Sequence, residues 1–277
     1  MNEKDSQEMS ASKSADQFIR KLKTFRSPEE REKILRYFKS GEGEYGAGDE
    51  FIGVRMGHVF ALAKEFIEMQ PAEIEKLLES SIHEARAGAL SIMGKQATSK
   101  KTSEARLKEL YELYIRRHDR VNNWDLVDLG ALYVVGPYLF NKPRDVLYKL
   151  ARSKNTFERR TAIVSTGPFI KRGDVDDTFK IAEILLHDEQ DLVHKGTGWM
   201  LRAAGAVDRE KLLGFLDQHA ATMPRTTLRY AIEHLDKTQR EHYLGLKKSE
   251  KSLETKAKRP EPKKRKSAAK KSVRSKG

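Results

Sequence analysis

No cysteine occurs among the 277 residues. Disulfides, thiolate nucleophiles and cysteine-type zinc sites are therefore excluded together, and the chain suits a reducing compartment. The eight histidines show neither H-x-x-H nor H-x-x-x-H spacing, so zinc is not expected, and no cofactor is called for. Tryptophan is scarce as well, with only Trp124 and Trp199. No apolar run approaches the ~18 residues that a membrane-crossing helix needs. The first fifteen residues are polar and lack an apolar h-region, so no secretory signal is expected. The expected location is cytoplasmic, and nucleoid-associated in a prokaryotic cell. Period-two alternation is missing too, which argues against strands. The glycine-rich stretch Gly41–Asp49 is followed by no Gly-Lys-Ser/Thr, so it is not a phosphate loop, and its composition predicts a mobile connection.

Charge is plentiful but unevenly placed. The formal net charge is +13. Between Lys247 and Gly277 stand fourteen Lys/Arg against three Glu, a net of +11, which leaves a body of 40 basic and 38 acidic residues. The body can therefore attract a polyanion only by sorting charge onto one face. Residues 1–14 and 247–277 read as disordered, and 15–246 as one folded unit.

Within that unit the pattern is helical almost throughout. Phe18, Leu22 and Phe25 recur at helical spacing, and Ser27-Pro28-Glu29-Glu30 is a helix start with proline in the first turn. Helices are expected over roughly 55–68, 71–80, 82–96, 101–118, 122–140, 143–153, 156–170, 174–187, 190–204, 208–220, 224–235 and 237–245, joined by short connections. Four of them align in register at Arg86, Arg160, Lys195 and Arg229. Positions 160, 195 and 229 are 35 and 34 residues apart. The gap of 74 from 86 to 160 has its midpoint at Asn123. The period predicts five antiparallel helix pairs stacked side by side, an all-α curved solenoid of HEAT-like repeats. The aligned basic residues would then line one concave face that suits a polyanion. Taken singly, each reads equally as a solvated charge on a helix top.

The stretch Asn122-Asn123-Trp124-Asp125-Leu126-Val127-Asp128 carries the clearest chemistry. Trp124 and Asp128 are one helical turn apart, so an indole and a carboxylate share a face. Asp128 sits at the edge of an apolar stripe formed with Val121, Leu126, Leu129 and Leu132, where solvation is incomplete.

Five blocks now stand in order: Tyr45–Val54, Asn123–Asp128, Glu158–Ile163, His194–Arg202 and Met223–Ile232. Together they resemble the HEAT-repeat DNA alkylation-repair glycosylases, the AlkD-like family, from about Phe18 to Leu244. The resemblance implies hydrolysis of the N-glycosidic bond of N3- or N7-alkylated purines in duplex DNA, by a monomer with no cofactor and no deep pocket for a flipped base. It places the catalytic acid at Asp128 and its aromatic partners at Trp124 and Trp199. It places DNA contacts at Arg160, Lys195, Arg202 and Arg229, with Arg86 and Arg55 as further candidates from the repeat and the first block. The family often has a proline and then an arginine after the Gly-Val of that block; here the run is Arg55-Met56-Gly57-His58-Val59-Phe60. No aromatic cluster beyond the tryptophans is evident in the sequence. The competing readings are a non-catalytic binder of DNA structures and a protein scaffold tethered by its tail.

The tail generates a prediction of its own. Deleting residues 247–277 is expected to weaken binding to undamaged duplex and to flatten the dependence of affinity on salt, as loss of phosphate-neutralising charge requires. Filter binding across a salt series checks it, and a deletion with an unchanged slope contradicts it.

Overall fold

A computed structural model describes residues 13–39, 41 and 43–246. The expected disorder of residues 1–12 and of the basic tail from Lys247 onward lies outside the described residues. Ser14, expected in the disordered N-terminus, instead caps the first helix by accepting from the Gln17 backbone N–H. The helices run in the order α1 Ala15–Lys23, α2 Pro28–Leu35, α3 Met56–Glu65, α4 Pro71–Leu78, α5 His83–Ala97 and α6 Glu104–Arg116. They continue with α7 Trp124–Gly130, α8 Gly136–Leu139, α9 Asp145–Leu150, α10 Thr156–Val164 and α11 Gly167–Ile170. The last are α12 Asp176–Ile184, α13 Asp191–Val207, α14 Arg209–His219 and α15 Arg225–Ala231, before a helical stretch at 237–246. Among the described residues there is no strand, only an isolated parallel bridge between Glu50 and Ile82.

Local chemistry sets many of these boundaries. Ser27, Ser103, Asn123, Asn155 and Asp208 each place a side-chain oxygen on a backbone N–H at the start of their helix, satisfying donors that the helix leaves orphaned. Two segments expected as single helices are interrupted, both ahead of a Gly-Pro pair. The 122–140 segment opens into a π-helical turn over Ala131–Val135 before Gly136-Pro137. The 156–170 segment breaks between α10 and α11, where Gly167-Pro168 follows. Proline has no N–H and crowds the carbonyl four residues back, so the ladder must widen or stop there.

The stacking is sequential. One row of helices packs in series, α3 on α5, α5 on α7, α7 on α10, α10 on α13 and α13 on α15. The partners α4, α6, α9, α12 and α14 lie against this row from the other side. Every aligned repeat position falls on the row: Arg86 in α5, Asn123 at the cap of α7, Arg160 in α10, Lys195 in α13 and Arg229 in α15. The chain is thus an all-α solenoid. Its central helix, α5, is buried from His83 to Gly94 on every side.

The connection between α2 and α3 is not the loose link its glycines predict. The Asp49 side chain is 5% exposed and is locked to Arg86 and Asn122 of the stack. Buried Glu84 accepts from the N–H groups of Ile52, Gly53 and Val54 and fixes the entry to α3. Gly53 has φ +79°, and a Cβ there would lie 2.0 Å from the Ser27 carbonyl oxygen, so only glycine fits.

Candidate active site

Side chains from both ends of the chain meet in one hollow of about 630 Å³ along the inner row. Trp124 and Asp128 of α7, Arg160 of α10, and Lys195, Trp199 and Arg202 of α13 all line it. Residues 36–39 and Tyr45 close one side. The stack therefore brings together both tryptophans, the candidate acid and three of the candidate bases.

Asp128 sits at the seam between α7 and α10. Its two oxygens accept from Arg160 Nε and Nη2, each at 3.0 Å, in the parallel two-point geometry natural to guanidinium and carboxylate. The third arm of Arg160, Nη1, donates to the Leu192 carbonyl at the start of α13. Gly196 makes room for this: a Cβ there would lie 3.2 Å from Arg160 Nη1. Burial pushes the Asp128 carboxyl above the ordinary aspartate range, and the Arg160 charge pulls it part of the way back. The side chain is still 19% exposed, toward the hollow.

The aromatic walls are richer than the sequence implied. Trp124 stacks on Phe38 at 5.5 Å between ring centroids. Tyr45 meets Phe157 edge-on at 6.1 Å, and Tyr37 and Tyr230 also face the hollow. The expectation of no aromatic cluster beyond the tryptophans is therefore corrected. These rings arrive from the α2–α3 connection, α10 and α15, too far apart in sequence to read as one cluster.

The ladder of bases needs correction too. Arg86 is 2% exposed and points inward to Asp49, to Asn122 and to the carbonyls of Ser80 and Ser81. It cannot meet a phosphate from there. Arg160 is 5% exposed and its fork is committed to Asp128, although it still lines the hollow. Both positions crowd a neighbouring repeat, and a buried guanidinium must be paired. Lys195 is half-exposed and paired with Asp191. Arg202 pairs with Glu233. Arg229 is exposed on α15 but does not line the hollow. Arg55 is exposed and paired with Glu30, away from the hollow.

A buried charge network, which sequence reasoning missed, holds the start of α7. His83 lies between Asp125, at 2.7 Å from its Nε2, and Asp49, at 3.4 Å from its Nδ1. Its ring stacks on Phe51 and touches Phe38, which in turn carries Trp124. Burial opposes the imidazolium, but the two aspartates outweigh it and push His83 up to about 9. The ring is therefore charged at neutral pH. The only sequence signal was an Asp immediately after Trp124.

Beyond Trp124 lies a second hollow of about 600 Å³, walled mainly by apolar and aromatic side chains of the α2–α3 connection, α3, α7 and the π-helical turn, with His83 and Glu84 from α5. Tyr37, Phe38, Trp124 and Asp128 border both hollows and form the partition between them.

A family model described as DNA alkylation repair enzyme matches residues 18–235. A solved structure described as a predicted DNA alkylation repair enzyme from Enterococcus faecalis is similar, with TM-score 0.60 and 15% identity over 76% of this chain and 97% of that one. At that identity the likeness speaks to the fold alone. A comparison with curated proteins gave no match.

The network around His83 predicts a pH dependence. Because the folded-state value is raised from 6.5 to about 9, its stabilisation is fully present below pH ~6.5 and is lost as pH rises through ~9, a change on the order of 3 kcal/mol. Urea unfolding from pH 6 to pH 10 is expected to show this loss. His83→Gln is expected to be less stable at pH 6 and flatter over the same span. Parallel curves for the two proteins would contradict the assignment.

Proposed function

The chain belongs to the DNA alkylation repair enzyme family, and from its site we propose that it is a DNA glycosylase acting on cationic N3- or N7-alkylated purines in duplex DNA. The observation that carries the reading is a single desolvated carboxylate, Asp128, held by Arg160 in a hollow that both tryptophans line and that is otherwise rich in basic side chains.

An alkylated purine already bears positive charge. When the N-glycosidic bond breaks, its electron pair neutralises the purine, so no general acid has to protonate the leaving group. One carboxylate then suffices where most glycoside hydrolases use two. The sugar left behind takes on oxocarbenium character, and the Asp128 carboxylate stabilises it. Water adds to C1′, and the same carboxylate orients it and draws off its proton. The products are the neutral alkylpurine and an abasic sugar. Trp124 and Trp199 offer π-faces to the cationic centre, worth about 0.5–2 kcal/mol each.

Arg160 acts through Asp128. Its two-point hold fixes the carboxylate's orientation and favours the ionised form that the mechanism needs. Lys195, Arg202 and, farther along the row, Arg229 are placed to meet phosphates of the bound strand. Asp191 pushes the Lys195 ammonium up. A lysine held in its charged form is a poor nucleophile at neutral pH. Hydrolysis, not a lyase step through an imine, is therefore the chemistry proposed.

The experiment is release of base from methylated duplex DNA under single-turnover conditions. Wild type is expected to excise, and Asp128→Asn to lose about 10²-fold or more, the scale for removing a preorganised electrostatic group. Equal rates would remove Asp128 from the mechanism. Excision by neither protein, with binding intact, would favour the non-catalytic binder.

The same assay against pH tests Arg160. The working form of Asp128 is the carboxylate, so activity falls on the acid side as it protonates. Removing the guanidinium in Arg160→Gln leaves burial unopposed, and the acid limb is expected to move to higher pH by roughly one to three units. Arg160→Lys, which keeps the charge without the fork, is expected to fall between the two. An unmoved acid limb would show that Arg160 does not control the acid.

A further inference from the structure

Both bases that α13 turns toward the first hollow are already paired. Lys195 meets Asp191, one turn earlier on the same helix, at 2.7 Å. Arg202 meets Glu233, just past the end of α15. Across the hollow, Arg36 and Lys39 have no acidic partner among the described residues. The α13 pairs differ in kind from Asp128–Arg160. That pair is buried, with Arg160 only 6% exposed, and neither group can leave without stranding the other. The side chains of Lys195 and Asp191 are 44% and 56% exposed, and that of Glu233 is 55% exposed. Each acid stays supported when its base departs. Asp191 is the first residue of α13, where the helix dipole favours a carboxylate, and it also accepts from Thr226 Oγ1 of α15 at 3.3 Å. Burial opposes its charge, but Lys195 and Thr226 hold the Asp191 carboxyl below the ordinary aspartate range. Glu233 is left in water. These pairs can therefore open at the small cost of an exposed ion pair.

We propose that Asp191 and Glu233 are exchange partners that set how long the protein stays on DNA: they occupy Lys195 and Arg202 in the free protein, and phosphates of the bound strand displace them. The proposal rests on the reading that these two bases meet the DNA backbone. A phosphate gains such a base only once the resident carboxylate has let it go. The carboxylate then stands beside the phosphate as a like charge. Both effects loosen the grip, and they do so on any duplex, because phosphate contacts position the strand without reading its bases. What Asp128 and the tryptophans offer a lesion is not weakened by them. Undamaged DNA and the abasic product are therefore released sooner. The charge balance of the chain fits this division. A segment with a net charge of +11 follows the folded unit and supplies attraction that ignores damage. A hollow whose bases were all free would add retention without adding discrimination.

The test uses the full chain and an undamaged duplex, with affinity followed by fluorescence anisotropy between about 50 and 200 mM salt. Asp191→Asn and Glu233→Gln each remove one carboxylate and keep its shape. Asp176→Asn is the control. Asp176 is likewise the first residue of its helix and likewise pairs with a lysine, Lys211, but α12 and α14 lie on the other side of the stack. Each of the two test variants is expected to bind about two- to fivefold tighter at the low end of the range, the strength of an exposed pair, with a salt slope steeper by up to ~0.9. The gain is expected to shrink as salt screens it, and the double variant to show the product of the two gains. Asp176→Asn is expected to stay at the wild-type value. Loss of fold cannot imitate tighter binding, and melting curves check each protein. On methylated duplex, the ratio of multiple-turnover to single-turnover excision is expected to fall by a similar factor, because product leaves more slowly. Wild-type affinity and slope in both acid variants, or an equal gain in Asp176→Asn, would overturn the proposal. Binding that tightens as stated while no protein excises would leave the exchange standing and remove the glycosylase reading. Excision without any tightening would do the reverse.

Discussion

The pair between Asp128 and Arg160 is the contact on which the site depends. A carboxylate set at the seam between two repeats loses much of its water, and burial drives it toward the neutral acid. A guanidinium meeting both oxygens reverses part of that drive and fixes the plane of the group. The same guanidinium reaches the Leu192 carbonyl, so the acid is held in register with α7, α10 and α13 at once. Arginine suits this position because three directions of its planar fork are used, which an ammonium could not reproduce. An ion pair so placed adds little net stability. Its value lies in a carboxylate that is poorly solvated, oriented and still open to the hollow.

The start of the same helix is clamped by a different device. Asp49, His83, Arg86 and Asp125 form a buried set of alternating charges, nearly neutral as a whole. Asp49 comes from the end of a glycine-rich connection, and His83 and Arg86 from the central helix. The set therefore ties the first part of the chain to the cap of α7. Phe38 passes this order on to Trp124 by lying flat against it. The indole and the carboxylate of α7 are thus fixed from opposite sides, the one through stacked rings, the other through a guanidinium. Removing a partner from either set leaves a buried charge uncompensated, a far larger cost than the pair itself contributes.

The repeat order explains why charges of one alignment take different roles. Arg86 and Arg160 occupy equivalent places on α5 and α10, yet one closes a structural network and the other holds an acid. Lys195 and Arg229 occupy the same places on α13 and α15 and are half-exposed or exposed. Arg86 is turned inward by Asp49 of the α2–α3 connection and by Asn122, and Arg160 by Asp128 of α7 and the Leu192 carbonyl of α13. Toward the C-terminus the row lies open, and the bases face solvent.

Sequence periodicity was enough to determine the helices, the repeat of about 35 residues and the pairing of Trp124 with Asp128 on one face, because each depends on neighbours within a few turns. Capping residues marked many helix starts for the same reason, and Gly-Pro pairs marked two interruptions that periodicity alone ran through. The partners of the buried charges were not legible. Asp128 and Arg160 are 32 residues apart, and Asn122 and Asp49 are 73 apart. Whether a basic residue on the inner row faces water or a carboxylate depends on what the stack lays over it. That is decided by tertiary packing, since desolvation and pairing are properties of the assembled neighbours and not of the residue or its local spacing.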